Sequence, residues 1–156
     1  RNRRAGTENV AGIVGLGVAA EMAQEGMVEE ADHVALLRDA LEKRILREIP
    51  GAEVNGHQTE RMPGTLNVGF GELDGEAIVH SLDLHGIAVS SGSACASGSS
   101  DPSHVLLAMG ATEAYARGVT RFSFGRGNSE ADVDGVMEVL PEIVARLLGL
   151  AADTSS

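Results

Sequence analysis

Apolar residues recur every three or four positions in a stretch that ends at Pro50-Gly51, which predicts a long amphipathic helix. Its apolar positions are Val34, Leu37, Leu41 and Ile45. A weak break is expected at Gly26, and upstream of it Asn9 can cap a separate helix that begins at Val10. That upstream helix carries a smooth stripe of small residues, Gly12, Gly15, Ala19 and Ala23, which suits tight packing against another backbone.

A second long apolar stripe predicts a helix near the end of the chain. Ser129 and Asp132 are spaced like a capping box, so the helix should start there. The stripe comprises Val133, Val136, Met137, Leu140, Val144 and Leu147. Pro141 is expected to kink this helix. The small and polar tail from Ala151 to Ser156 is expected to fray.

Short alternating stretches between the long helices predict strands. They are Leu66 to Phe70 after a Pro63-Gly64 turn, Ile87 to Val89, and Val119 to Phe124. Helical patterns separate them: one is capped by Asp74 and ended by Gly86, and another starts at Asp101-Pro102 and is closed by Gly110. This order predicts an α/β or α+β fold, in which a small sheet is covered by helices.

Charge and cysteine content narrow the function classes. Twelve Lys and Arg face 23 Asp and Glu in 156 residues, a net charge of −11, which argues against nucleic acid and anionic membranes as partners. The longest apolar run, Val10 to Ala20, is too short to span a bilayer. The single cysteine, Cys95, cannot form an internal disulfide, which favours a reducing, cytoplasmic location and leaves one free thiol.

Cys95 lies in an unusual segment that reads SSGSACASGSSDPS from Ser90 to Ser103. With little apolar surface and high backbone freedom, this segment is expected to be an exposed, mobile loop that can carry a nucleophile between two places. An ordinary Gly/Ser loop with an incidental cysteine explains the composition equally well. The loop contains no basic residue, so a group that activates the thiol must come from elsewhere.

Arg121 is the best candidate for binding an anion. It alternates with Phe122 in a predicted strand, so the guanidinium should project away from the apolar face and can hold a carboxylate by paired hydrogen bonds. Arg126 is a weaker candidate of the same kind. Thr7, just before the Asn9 cap, can offer a hydroxyl to a phosphate. No metal site is expected from the spacing of the histidines, His33, His57, His80, His85 and His104.

Four segments together resemble the cysteine desulfurases of the NifS/IscS type. They are Arg3 to Asn9 (RRAGTEN), Ser90 to Ser99 (SSGSACASGS), Pro102 to Leu106 (PSHVL) and Arg121 to Arg126 (RFSFGR). The match runs in order over nearly the whole chain, and the SSGSAC motif is highly specific. The resemblance implies the C-terminal part of a fold-type I, pyridoxal-phosphate-dependent enzyme that acts as a homodimer and converts L-cysteine to L-alanine plus an enzyme-bound persulfide.

The resemblance also implies a role for each matching residue. Cys95 would take the substrate's sulfur and pass it to an iron–sulfur scaffold or another acceptor, and transient ligation of a [2Fe–2S] cluster by Cys95 is a further implied role. Arg121 would bind the substrate carboxylate. Thr7 would contact the cofactor phosphate of the neighbouring subunit. The long loop around Cys95 agrees with sulfur delivery.

One feature departs from the resemblance. The chain's only lysine, Lys43, lies between Glu42 and Arg44 on a charged helix face and matches no motif for the family's Schiff-base lysine, which is therefore expected outside this chain. The expected division is residues 1–27 as the end of a large cofactor-binding domain, 28–150 as a small domain and 151–156 as the tail. Two alternatives stay open: a sulfur-relay module without a cofactor, and a related aminotransferase in which Cys95 is incidental.

Overall fold

The computed structural model describes residues 6–91 and 102–154. In this part of the chain, helices and strands alternate. The helices are α1 (Val10–Glu48), α2 (Gly75–Asp83), α3 (His104–Ala108), α4 (Glu113–Arg117) and α5 (Glu130–Thr154). The strands are β1 (Glu53–Val54), β2 (Thr65–Gly69), β3 (Ser90–Ser91) and β4 (Val119–Ser123). The expected small sheet covered by helices is thus confirmed.

Helix α1 is continuous, so the expected break at Gly26 is wrong. A glycine inside a helix costs only about 1 kcal/mol relative to alanine. This cost is too small for a single glycine to end the helix. The predicted cap is confirmed: the Asn9 side chain accepts a hydrogen bond from the Gly12 amide at 3.1 Å. From Val10 to Glu25 every residue is exposed, whereas burial is regular from Val34 onward. The domain boundary expected after residue 27 stays a prediction.

The four strands of the described residues form one antiparallel sheet in the order β1-β2-β4-β3. In the central pair, Leu66 lies opposite Phe122 and Val68 opposite Thr120. The strand expected at Ile87 to Val89 is wrong, because the pairing is made by Ser90 and Ser91, just after these residues. The apolar side chains of Ile87 and Val89 instead pack against the core.

The main core lies between one face of the sheet and the three longest helices. Leu66, Val68 and Phe122 supply the sheet side. The helix side is supplied by Leu37, Leu41, Ile45, Ile78, Leu82, Val133, Val136, Met137, Leu140, Ile143 and Val144. A separate small cluster of Leu106, Ala116 and Val119 packs α3 and α4 at the end of β4. The sheet therefore buries one face along its length and the other face only in part.

Local signals account for the ends of α2, α3 and α4. The Asp74 side chain accepts from the Glu76 amide at 2.9 Å, and Gly86 and Gly110 take left-handed φ angles of +77° and +92° after α2 and α3, as predicted. The start of α3 differs from expectation. Ser103 is its N-cap and Pro102 precedes the cap, whereas the prediction placed Pro102 inside the helix; Asp101 lies outside the described residues.

Helix α5 begins where the capping box was predicted, and the structure shows the half of the box in which the Asp132 side chain reaches back to Ser129. The Asp132 carboxylate accepts from the Ser129 amide at 2.8 Å, and this backbone hydrogen bond, with a smaller contribution from the Asn128 side chain, lowers the Asp132 pKa from its ordinary value. Pro141 lies inside the helix, which continues past it. The helix extends through Thr154, and the fraying expected for residues 151–156 stays a prediction. No helix in the described ranges is long and apolar enough to cross a membrane.

Candidate functional site

Four polar side chains form a row across the sheet, one from each strand or its end. Asn55 follows β1, and its backbone N–H donates to the backbone carbonyl of Asn67 at 2.9 Å. Asn67 lies opposite Arg121, and Arg121 lies opposite Ser90. Residues directly opposite in an antiparallel pair share a face. We call Asn55, Asn67, Arg121 and Ser90 the polar row.

The polar row lies on the face opposite the main core. Strand side chains alternate, and Val68 and Phe122 are buried in the core, so their neighbours Asn67 and Arg121 must point the other way. The sequence-based prediction that Arg121 projects away from the face of Phe122 is therefore confirmed. The alternation that builds the core also produces the polar surface.

Arg121 is the charged member of the polar row and has few partners. Its Nη2 atom donates to Ser90 Oγ at 3.4 Å, which is a long hydrogen bond. Its Nε atom is buried and has no hydrogen-bond partner among the described residues. A buried donor without an acceptor is costly, and a guanidinium fork matches the two oxygens of a carboxylate. Arg121 is thus suited to an anionic ligand.

Tyr115 joins one end of the polar row through a directed hydrogen-bond chain. The Tyr115 hydroxyl donates to Asn55 Oδ1 at 3.1 Å, and Asn55 Nδ2 donates to Asn67 Oδ1 at 2.8 Å. Burial, assisted by the nearby negative charge of Glu53, raises the Tyr115 pKa above its ordinary 10.0. A phenol is protonated at neutral pH even without this shift, so the Tyr115 hydroxyl is a donor there.

Gly69 fixes the position of Tyr115. A Cβ atom at Gly69 would lie 2.4 Å from both Cζ and Oη of Tyr115, closer than real Cβ contacts allow. The tyrosine ring therefore packs directly on the backbone of β2, and only glycine leaves room for it. The close approach explains why the last residue of β2 is a glycine.

Thr7 and Arg121 are not brought together within one chain. Thr7 is exposed just before α1, and residues 10–25 of that helix are exposed as well. His33 is near the point where α1 meets the rest of the chain, because its Nε2 bonds with the Asn128 carbonyl at 2.9 Å. At about 1.5 Å per residue, Val10 lies about 35 Å from His33 along the helix. Cys95 lies outside the described residues.

The remaining candidates are placed as exposed or locally bonded groups. Lys43 is exposed on α1, and Arg126 is exposed in the turn after β4. His57 accepts from the Glu60 amide at 2.9 Å, and His85 Nδ1 bonds with the Ser81 carbonyl at 2.8 Å. The described residues contain no group of three or more His, Cys, Asp or Glu that could hold a metal ion.

Sequence reasoning identified Arg121 but missed Asn55, Asn67 and Tyr115. One signal was available: Asn67 stands between Leu66 and Val68 in a strand, where asparagine is disfavoured, so a polar residue at that position needs a reason. No signal in the sequence joins Tyr115 to Asn55, because these residues are distant along the chain and meet only when α4 folds over β2.

Comparison with known proteins decides the family. Residues 1–136 match the family model described as aminotransferase class-V. The chain belongs to the class V aminotransferase family. A cysteine desulfurase of Gluconacetobacter diazotrophicus is 54% identical to this class V chain over 147 residues, which is 94% of the chain and 37% of the relative. The cysteine desulfurase NifS of Azotobacter vinelandii is 50% identical, over 94% of the chain and 37% of that protein.

Solved structures confirm the fold of this class V chain. A NifS-like protein from Rickettsia africae has a TM-score of 0.78 and 32% identity, over 90% of this chain and 36% of that one. Another NifS-like protein has a TM-score of 0.79 and 34% identity, over 92% and 36%. The expected resemblance and the transferase fold are thus confirmed. The chain spans little more than a third of the length of the curated relatives it matches.

Membership of this family implies pyridoxal phosphate, and the residues of this class V chain fit it only in part. Arg121 and its neighbours on the sheet present donors that suit an anion. Attachment of the cofactor needs a lysine, and Lys43, the only lysine, is exposed among charged residues of α1. An exposed lysine on a charged helix face does not fit this attachment.

Proposed function

We propose that the chain is part of a pyridoxal-phosphate-dependent cysteine desulfurase that converts L-cysteine to L-alanine and leaves the sulfur as a persulfide on Cys95. The similarity to curated cysteine desulfurases, at about half of the positions over nearly the whole chain, supports the assignment. The observation that carries it is Arg121, a half-buried guanidinium with an unpartnered Nε on the open face of the sheet. The substrate of such an enzyme has an α-carboxylate that this group can bind.

Arg121 would hold the substrate by its carboxylate. Hydrogen bonds between a guanidinium and a carboxylate are charge-assisted, and two parallel bonds also fix the orientation. Phe122 and Val119, on either side in the sequence, are buried. The backbone at Arg121 is therefore held by the core, and binding a substrate requires little further ordering.

Cys95 would be the sulfur carrier. The SSGSAC motif places it four residues after Ser91, and Ser90 accepts a hydrogen bond from Arg121. The segment that bears the thiol thus begins beside the residue proposed to bind the substrate. As a thiolate, Cys95 would attack the substrate's sulfur, and the new S–S bond would form as the substrate's Cβ–S bond breaks. The electron pair of the broken bond would stay on the carbon skeleton, which takes up protons to become L-alanine, and the cofactor would supply the electron sink for this cleavage when bound. An acceptor thiol or an iron–sulfur scaffold would then receive the outer sulfur of the persulfide.

The proposed enzyme is a homodimer. Thr7 stands at the exposed end of α1, about 35 Å from the place where this helix meets the small domain. This separation supports a phosphate contact to the site of a neighbouring copy, with Arg121 serving its own. We place the Schiff-base lysine outside this chain, the enzyme in the cytoplasm and, as a further proposal, a transient [2Fe–2S] cluster on Cys95 during sulfur handover.

The test is to incubate the whole protein, with pyridoxal phosphate, with L-cysteine and to measure both products. Alanine formation together with a mass gain of one sulfur atom on Cys95 is expected. Cys95→Ala should stop persulfide formation and slow alanine release, and full-rate alanine formation by this variant would exclude Cys95 as the nucleophile. If the whole protein makes no alanine but Cys95 accepts sulfur from a persulfidated donor, the chain is a sulfur relay. Transamination without sulfur release would identify an aminotransferase.

A further inference from the structure

We propose that Asn67 is a second carboxylate-binding residue beside Arg121, and that Tyr115 positions it through Asn55. The identity of the ligand, the α-carboxylate of an amino-acid substrate, rests on the proposed function. The arrangement of the polar surface does not depend on the proposed function, because it follows from the register of the sheet and from the hydrogen bonds of the described side chains.

Arg121 and the side chain of Asn67 beside it present more hydrogen-bond donors than acceptors. A primary amide has one acceptor oxygen and two N–H donors, and the oxygen of Asn67 already accepts from Asn55 at 2.8 Å. The Asn67 Nδ2 group has no partner among the described residues and is not buried. Arg121, directly opposite, has only donors. An amide N–H group and a guanidinium side by side therefore form a surface that an anion with two oxygens can complement.

The hydrogen bonds run from Tyr115 through Asn55 to Asn67, and their donor-to-acceptor direction determines whether the nitrogen or the oxygen of the Asn67 side-chain amide is free. A phenol O–H that donates to Asn55 Oδ1 leaves the Asn55 amide nitrogen to face Asn67, and this in turn occupies the Asn67 oxygen. The Asn67 nitrogen then remains available beside Arg121. Without the phenol proton, both amides are free to reverse, and the Asn67 oxygen could then accept from Arg121 and compete with a substrate. Tyr115 is therefore a positioning residue.

Two further observations support this role of Tyr115. The contact with Gly69 leaves the ring little room to move, so the hydroxyl stays within reach of Asn55. The Tyr115 hydroxyl keeps its proton at neutral pH, as phenols do, and burial raises its pKa further. Both the position and the proton needed for a directed hydrogen-bond chain are thus present.

The experiment compares two ligands in the whole protein with its cofactor. L-alanine has the carboxylate, and L-alaninamide carries an uncharged amide in its place. Calorimetric titration of each ligand gives the preference for the carboxylate. We expect Asn67→Ala to reduce this preference about tenfold, a change of about 1.4 kcal/mol in binding free energy, with the affinity for L-alaninamide unchanged. The isosteric Asn67→Asp should abolish the preference, because its charge repels the ligand and pairs with Arg121.

Tyr115→Phe should reduce the preference in the same direction but less, with KM for L-cysteine raised and kcat nearly constant. Ser123→Ala is the matched control, since Ser123 is exposed on the same face of β4, two residues from Arg121. This variant should leave the affinity for both ligands unchanged. If Asn67 or Tyr115 had only a structural role, its substitution would weaken the binding of both ligands equally and lower the midpoint of chemical unfolding.

The outcomes separate the two proposals. If the whole protein desulfurates cysteine but Asn67→Ala and Asn67→Asp keep the full preference for L-alanine, the inference about Asn67 is overturned and the proposed function stands. If Tyr115→Phe alone has no effect, the positioning role of Tyr115 is overturned. If the protein does not desulfurate cysteine but prefers L-alanine and loses that preference in Asn67→Ala, the surface binds carboxylates and the proposed reaction is wrong.

Discussion

Asn67 and Arg121 stand directly opposite each other on β2 and β4, on the face of the sheet that turns away from the main core. The amide oxygen of Asn67 is engaged by Asn55, whereas the Nε atom of Arg121 has no partner among the described residues. The pair therefore presents donors without acceptors. Because the sheet backbone holds both residues, the surface is preorganised for an anion and does not need to be assembled by the ligand.

Removal of the guanidinium should weaken substrate binding. Arg121→Ala in the whole protein is expected to raise KM for L-cysteine about 10- to 100-fold, since hydrogen bonds to charged groups contribute about 1.5–3 kcal/mol. Steady-state alanine production measures the effect. Arg117→Ala is the control, because Arg117 is an exposed residue of α4 that pairs only loosely with Glu113 at 3.8 Å. An unchanged KM in Arg121→Ala would contradict the carboxylate role.

A methyl group at Gly69 should displace Tyr115. The added Cβ would lie 2.4 Å from the phenol ring, so Gly69→Ala is expected to destabilise the fold by about 1–3 kcal/mol and to break the bond to Asn55. Urea unfolding measures the first effect. Gly125→Ala is the control, since no atom lies within 4 Å of a Cβ there. Equal stability of the two variants would show that the ring is not held against β2.

The ionisation of Tyr115 is directly observable, because it is the only tyrosine and the chain has no tryptophan. In the folded chain its ultraviolet titration should have a midpoint above 10.0, and in the unfolded chain a midpoint near 10.0. The raised pKa contributes stability that is fully present below pH 10 and is lost as the pH rises through the folded value. A folded-state midpoint at or below that of the urea-unfolded chain would contradict the burial of the phenol.

The hydroxyl of Thr120 is a buried group without a hydrogen-bond partner among the described residues. The side chain is fully buried and faces the main core beside Val68. Thr120→Val, which keeps the shape and removes the hydroxyl, is expected to raise the free energy of unfolding by about 1 kcal/mol. Thr120→Ser keeps the hydroxyl and loses a methyl group, so it should lower that energy. Urea midpoints at constant slope report both changes, and a loss of stability in Thr120→Val would reveal a bond that the hydroxyl makes.

The sequence predicted the elements whose signals are local. The caps at Asn9 and Asp74, the left-handed glycines Gly86 and Gly110 and the capping box at Ser129 are all present, because each depends on a few neighbouring residues. The errors arose where a local signal was weak or was overridden. Gly26 did not interrupt α1, and the strand expected at Ile87 to Val89 is formed instead by Ser90 and Ser91.

The sequence by itself determined the alternation of helices and strands, the outward direction of Arg121 and the family resemblance. These follow from side-chain periodicity and from motifs that are contiguous in the chain. Only the tertiary structure decided which residues surround Arg121. The polar row gathers Asn55, Asn67 and Ser90 from three other parts of the chain, and Tyr115 reaches Asn55 from a fourth. Such neighbours are set by strand order and register, which depend on long-range packing and leave no mark on local spacing.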